Sequence, residues 1–294
     1  MSNSILLSII IVAYKNWTVL NNTLLSIEKY NDLGENLEVI VVDNSPENER
    51  IGKYLPQDLK YTMKYIESNN RGFGAGNNDG EKIAAGKYIG FINPDIVFIE
   101  PIFRKVIEKF QSNEHVGMIG TKLLNKDRKW AFSFYYDYRA SFFHKQSIKI
   151  CNKFDLFHEN KMYIAGADMF VRKDLFEKAG RFDENIFMYY EEPDLTRRLR
   201  KIDQSCEIIY LKDCSMIHLE RQSSGSNDKM INEEIKSCIY YGRKYDLDYK
   251  KKVKEDLKYI KFKRNIAALL KRDCKSYDHT ISCYESCIKK EYQI

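Results

Sequence analysis

The chain has 294 residues, 44% hydrophobic and 13% aromatic, with only 5 Pro and 14 Gly. That composition excludes the disordered and fibrous classes and allows one large α/β domain with additions or two small domains. The formal net charge is +6, but residues 228–294 carry 17 of the 48 basic and 11 of the 42 acidic side chains; the first 227 are balanced, which argues against a nucleic-acid partner. The longest apolar stretch, residues 5–12, is too short to span a bilayer and lacks the basic start of a signal peptide, so a cytoplasmic protein is expected. Seven cysteines, an odd number without a C-x-x-C pair, point to neither a disulfide framework nor a zinc site. Cys283 and Cys287 lie one helical turn apart and read as two thiols on one face, with a metal role as the alternative.

Residues 5–13 form an apolar, β-branched run, followed by the helical spacing of Trp17, Leu20, Leu24, Leu25 and Ile27 and by a second apolar run at 37–42. This predicts strand, helix, strand. Ser45-Pro46-Glu47 reads as N-cap, first-turn proline and first-turn acid, so a second helix is expected directly after Asp43-Asn44. A third strand is expected at 61–67, a helix over 77–85 stopped by Gly86, a strand at 88–92 ending in Asn93-Pro94-Asp95, and a helix from Pro101. Residues 121–160 are aromatic-rich with weak periodicity and are either packing or an aromatic-lined platform. A strand over 162–171, a short helix over 174–179 closed by Gly180, and a basic helix over 193–202 follow. From 228 onward the pattern is helical. Within 250–272 there are ten Lys/Arg and two acids, with Val253, Leu257, Ile260, Ala267 and Leu270 at three- and four-residue steps. This is a basic amphipathic helix, either packed on the domain or attracted to an anionic membrane surface.

Strands that alternate with helices and are apolar throughout imply a mostly parallel sheet covered on both faces, with the ligand crevice at the carboxyl ends of the strands. Those ends are Tyr14-Lys15-Asn16, Asp43-Asn44 and Asn93-Pro94-Asp95. Gly72, Gly74 and Gly76 follow the third strand in a G-x-G-x-G spacing, which is not the dinucleotide fingerprint. The segment reads as a flexible loop feeding a helix N-terminus, suited to close approach of backbone to an anion or sugar. Asp95 can hold a metal–diphosphate, because magnesium and manganese commonly take one or two protein carboxylates and complete their shell with water and phosphate; a turn-forming role competes. Glu191, Glu192 and Asp194 crowd the start of a helix behind Tyr189 and Tyr190. The helix dipole favours their charge, whereas crowding and burial raise a carboxyl toward the range of a general base; an acidic helix cap is the alternative. His218, followed by Ser223 and Ser224, reads as a phosphate or metal contact or as a structural histidine.

SIIIVAYKN, VVDNS, NNRGFGAGNN, FINPDI, AGADMFVRKDLFEKAGRFDENIFMYYEEPDLTRRLRK and the later His, in this order and spacing, resemble family 2 glycosyltransferases of the GT-A fold, especially the bacterial rhamnosyltransferase-like branch. The resemblance covers about residues 5–225. It implies a Rossmann-like GT-A domain over 1–227, with a nucleotide-sugar half to about residue 120 and an acceptor half beyond it, and a basic helical extension over 228–294. It places Ala13 and Tyr14 beside the nucleotide, Asp43 on the base or ribose, and Asn70, Gly72 and Asn77 in the wall of the donor site. Asp95 matches the last acid of a DxD-type metal motif, here Asn93-Pro94-Asp95, and His218 a late metal or diphosphate contact, with Mg2+ or Mn2+ as the ion. Ala165, Gly166 and Asp168 fall on the segment lining sugar and acceptor. Glu192 is similar to the catalytic base, with Glu191 and Asp194 orienting it. The activity implied is inverting transfer of rhamnose or another hexose from a nucleoside-diphosphate donor to a glycan or lipid-linked acceptor. The alternatives are a non-catalytic sugar-nucleotide-binding scaffold and a sugar nucleotidyltransferase.

Overall fold

The computed structural model describes residues 4–219 and 228–292. Its first part runs β1 (Leu7–Ala13), α1 (Trp17–Tyr30), β2 (Leu37–Asp43), β3 (Thr62–Glu67), α2 (Phe73–Lys82), β4 (Tyr88–Ile92), β5 (Ile96–Phe98) and α3 (Phe103–Ser112). There follow β6 (Val116–Leu124), β7 (Phe134–Tyr136), α4 (His144–Lys153), β8 (Met162–Ile164), β9 (Asp168–Arg172), α5 (Lys173–Lys178), α6 (Glu191–Ile202) and β10 (Glu207–His218). Three helices close the chain: α7 (Asp228–Lys244), α8 (Tyr249–Leu269) and α9 (Lys275–Tyr292).

Eight strands form one sheet in the order β3-β2-β1-β4-β9-β6-β10-β5, and β7 pairs with β8 apart from it. β3, β2, β1 and β4 are parallel neighbours. β9 runs antiparallel to both β4 and β6, and β5 is an antiparallel edge on β10. The expected α/β sheet is therefore parallel in its first half and mixed in its second. Every residue of β2 and β4 is buried, because helices cover both faces: Ile9, Ile11, Leu20 and Leu24 share one core and Ile10, Ile40, Val42 and Phe91 the other. Each such side chain contributes ~1.5–3 kcal/mol of burial.

Three expected elements differ. After Asp43 the chain makes two short 3-10 turns, Glu47–Glu49 and Gly52–Tyr54, in place of an α-helix. The Asp43 carboxylate accepts from the amides of Ser45 (2.9 Å) and Ile51 (2.8 Å) and so winds the segment around itself. The glycine-rich segment is helix from Phe73 rather than a loop before Asn77. Its glycines serve packing: a Cβ at Gly80 would lie 2.5 Å from Ile10 Cγ2 and one at Gly76 3.0 Å from Val12, so α2 rests directly on β1. The strand expected over 162–171 breaks at 165–167 into β8 and β9, and that break enters the site.

The C-terminal helices share a core with the body. Ile235, Cys238, Ile239, Val253 and Tyr284 are buried together, and Tyr138 and Tyr190 pack against them. Val253 and Ala267 of the basic helix are buried and Leu257 and Ile260 pack inward, so the stripe serves helix packing as far as Ala267, whereas Leu270, expected on it, is exposed. No helix among the described residues is long and apolar enough to cross a membrane.

Candidate functional site

The carboxyl ends of β1, β2 and β4 open on one edge of the sheet, as the register of β1 with both neighbours requires. At the end of β1, Ala13 is buried and Tyr14 exposed. Lys15 turns left-handed with φ +63° and its amide donates to Ser45 Oγ at 2.7 Å, tying the β1 end to the loop after β2. Asp43 is fully buried, and besides its two backbone donors it accepts from Tyr65 OH at 2.7 Å. In this conformation both carboxylate oxygens organise the loop. Trp17 and Tyr54 stack at 5.0 Å on the exposed rim nearby.

The glycine segment joins the site through its first residue. Gly72 has φ +114°, and a Cβ there would lie 2.3 Å from Phe187 O; only glycine fits both the backbone and the contact. The Phe73 amide then donates to Phe187 O at 2.9 Å, so α2 starts against the loop that leads to Glu191 and Glu192. Asn70 is exposed on the approach. Asn77, expected on the donor wall, is turned inward at 1% exposure and donates to Phe73 O.

Asn93-Pro94-Asp95 ends β4. Asp95 is buried, its Oδ1 makes no hydrogen bond among the described residues, and His218 Nε2 lies 3.3 Å from it. The pairing of β10 with β5 sets His218 opposite Ile96 and thereby beside Asp95; Ser223 and Ser224, read with His218, lie outside the described residues. One orphaned carboxylate oxygen and one imidazole are a donor set suited to Mg2+ or Mn2+. No group of three or more His, Cys, Asp or Glu side chains among the described residues could hold an ion unaided, so an ion there would complete its shell with water or with the phosphates of a bound diphosphate.

The break between β8 and β9 links the two halves of the site. The Asn93 amide donates to Ala167 O at 3.0 Å, and the Gly166 amide donates to Glu192 Oε1 at 2.9 Å. A Cβ at Gly166 would lie 2.3 Å from the same Oε1. Gly166→Ala is therefore expected to push the Glu192 carboxyl aside and to lower kcat roughly 100-fold, with donor KM little changed; steady-state kinetics check this. Ala165 is buried, its amide on Ser133 O.

Burial raises the Glu192 carboxyl above its ordinary range, and the Gly166 amide opposes that rise. Glu191 is 1% exposed, its Oε1 has no hydrogen-bond partner among the described residues, and burial with the neighbouring Glu192 charge holds it well above the usual carboxyl range. The two neighbouring carboxyls are both raised by burial and titrate as a pair. Asp194 points away from both, into α7, where Lys244 Nζ and Tyr245 OH meet its Oδ1 while Arg198 Nε meets its Oδ2 at 2.8 Å. Lys244 and Tyr245 carry no motif that would have marked them.

Asp168, expected against sugar and acceptor, is fully buried. Its Oδ2 accepts from the Thr121 amide and hydroxyl, each at 2.7 Å, and so clamps β9 to β6. Burial pushes its carboxyl up to about 8 from 3.8, against those two bonds. The folded state thus holds a proton that the unfolded chain releases, and stability falls as pH rises from 3.8 to about 8. Asp168→Asn is expected to raise Tm at pH near 8 by a few degrees and to change it little near pH 4; thermal melts across pH check this.

Residues 8–179, more than half of the chain, match the profile of Glycosyl transferase family 2. The low-salt glycan biosynthesis hexosyltransferase Agl10 of Haloferax volcanii is 26% identical over 219 residues, covering 72% of this chain and 65% of that protein. The minor teichoic acid biosynthesis protein GgaB of Bacillus subtilis is 34% identical over 83 residues, covering 28% of this chain and 9% of that one. The chain thus spans less than two thirds of either relative. Among solved structures, the mannosyltransferase PcManGT of Pyrobaculum calidifontis, in complex with GDP-Man and Mn2+, superposes with TM-score 0.52 at 16% identity over 81% of this chain and 64% of its own. TarS of S. aureus gives 0.50 at 16% identity over 87% of this chain and 43% of its own. These likenesses establish the shared fold, and the profile match over the strands and turns that build the crevice establishes the lineage: the chain belongs to glycosyltransferase family 2.

Proposed function

We propose that this transferase moves a hexose, rhamnose or another, with inversion from a nucleoside-diphosphate donor to a hydroxyl of a glycan or lipid-linked acceptor in cell-surface polysaccharide synthesis. The observation that carries the reading is the segment 165–167, whose Ala167 carbonyl takes the Asn93 amide, two residues before the Asp95–His218 pair, and whose Gly166 amide holds Glu192. The names of the relatives, which place them in glycan and teichoic acid biosynthesis, and GDP-Man with Mn2+ in a neighbour, agree with it.

Glu192 takes the acceptor proton as the hydroxyl oxygen bonds to the anomeric carbon, from the face opposite the leaving group. The bond from that carbon to the diphosphate oxygen breaks, and the nucleoside diphosphate departs. A carboxyl raised by burial is a better proton acceptor near neutral pH than an ordinary one. Asp95 and His218 would hold a divalent ion with the diphosphate, and such an ion offsets the charge gathering on the leaving group.

A panel of sugar nucleotides, scored for metal-dependent hydrolysis and for thermal stabilisation, tests the reading, since a ligand of the folded state raises Tm by mass action. One donor class is expected to stabilise the chain and to release nucleoside diphosphate. Release of pyrophosphate instead would identify a nucleotidyltransferase, and stabilisation without any turnover a binding scaffold.

A further inference from the structure

We infer that one face, built from α4 and the second half of α8, docks on an anionic lipid bilayer. On α8, Phe262, Ile266, Leu269 and Leu270 stand exposed at steps of four, three and one, with Leu269 83% exposed. Steps of this size put the four side chains on one stripe. It is distinct from the stripe of Val253, Leu257 and Ile260, which packs inward with α7 and α9. Beside α4, Phe143 is 70% exposed, and Ile150 and Phe154 follow at steps of seven and four, also exposed. The ring of Phe142 joins the two helices, 5.1 Å from Phe143 and 5.3 Å from Phe262. Lys145 strengthens the junction by pairing with Asp256 of α8.

A contiguous exposed apolar surface of this kind marks an interaction site, and charge selects the occupant. Lys149 and Lys153 flank the α4 stripe, and Lys263, Lys271 and Arg272 the α8 stripe. Of the nearby acids Glu255 pairs with Lys258, Asp278 with Arg264 and Glu285 with Lys261, while Asp273 stands exposed beside Arg272; residues 228–294 still carry a positive excess. Two copies of this chain face to face would bring like charges together, whereas a bilayer rich in anionic headgroups offers apolar depth and opposite charge at once. Phe, Leu and Ile ringed by Lys and Arg is the composition of helices that lie in the membrane interface. This docking does not rest on the transferase reading.

The test is co-sedimentation of the full chain with vesicles of phosphatidylglycerol and phosphatidylethanolamine in equal parts, against vesicles of phosphatidylcholine alone. The full chain is expected to bind the anionic vesicles and to be released by salt. Ile266→Ser with Leu269→Ser is expected to weaken binding at least ~10-fold, since each buried aliphatic side chain carries about that factor. Lys271→Glu with Arg272→Glu is expected to weaken it comparably. All four side chains are exposed, so Tm and donor hydrolysis stay at wild-type levels, and loss of donor hydrolysis alone would bear on the reaction and not on docking. Absence of binding to anionic vesicles overturns the proposal, as does binding that survives both double variants. Self-association abolished by the serine variant, with no vesicle binding, would assign the face to a second copy instead and overturn it too.

Discussion

Glu192→Gln is expected to lower kcat by roughly 100- to 10,000-fold, the usual worth of a general base, while donor binding persists. The substitution keeps the length of the side chain and an oxygen able to accept from the Gly166 amide, which holds Glu192 Oε1 at 2.9 Å. What it removes is the capacity to take a proton. The wild-type enzyme should show an acid limb in kcat/KM above the ordinary carboxyl range, because burial raises this group; activity rises with pH as Glu192 ionises, and the variant should lose that limb. Glu191→Gln is the control. Burial and the neighbouring charge hold its carboxyl well above the usual range, and the Gly166 amide is bonded to Glu192 instead, so its loss should cost far less. Wild-type turnover by Glu192→Gln would remove Glu192 from the chemistry, and equal losses in the two variants would mean that the pair acts as one packed unit.

How far the sequence carried can be seen residue by residue. β1, β2 and β4 were legible because strands buried on both faces must be apolar throughout, and Ile9, Ile40 and Phe91 are fully buried. The Ser45-Pro46-Glu47 cap signal failed because a stronger local partner intervened, the Asp43 carboxylate capturing the Ser45 and Ile51 amides. The start of α2 was hidden because glycine disfavours helix, yet Gly76 and Gly80 sit in a helix too close to β1 for any side chain. In the site, Asp95 and Glu192 could be picked out as acids at a strand end and a helix start. The link between them runs through the backbone of Gly166 and Ala167, which side-chain chemistry does not disclose. Asp168 was misplaced for a related reason: a carboxylate in a strand looks like a ligand until Thr121, 47 residues away, is found on it.

Asp194→Ala is expected to destabilise the protein by about 3–5 kcal/mol, the cost of stripping a buried carboxylate from its cations. Asp194 is fully buried and receives Lys244, Tyr245 and Arg198, so its removal leaves Arg198 without its carboxylate and Lys244 with Asp183 alone. The effect should also reach the reaction. Tyr189 and Tyr190 hold left-handed backbone at φ +68° and +73° immediately before Glu191, a conformation that costs ~1–3 kcal/mol per non-glycine residue and persists only where packing imposes it. Much of that packing comes from α7: Tyr241 lies 5.3 Å from the Tyr190 ring, and Ser237 Oγ donates to Met188 O at 2.8 Å. Lys244 also reaches Asp183 at 2.7 Å on the same loop. Burial would raise the Asp183 carboxyl, but Lys244 and the Asn185 amide bring it down to about 2, so its stabilisation is complete above 3.8 and is lost as pH falls toward 2. Urea unfolding of Asp194→Ala measures the stability term. Its kcat should fall, because the anchored turn aims Glu192. Asp194→Asn, which keeps an acceptor for Tyr245 and loses the charge, should fall between alanine and wild type. Stability of Asp194→Ala within about 0.5 kcal/mol of wild type, the range of an ordinary surface change, would show that α7 holds the turn by its tyrosines alone.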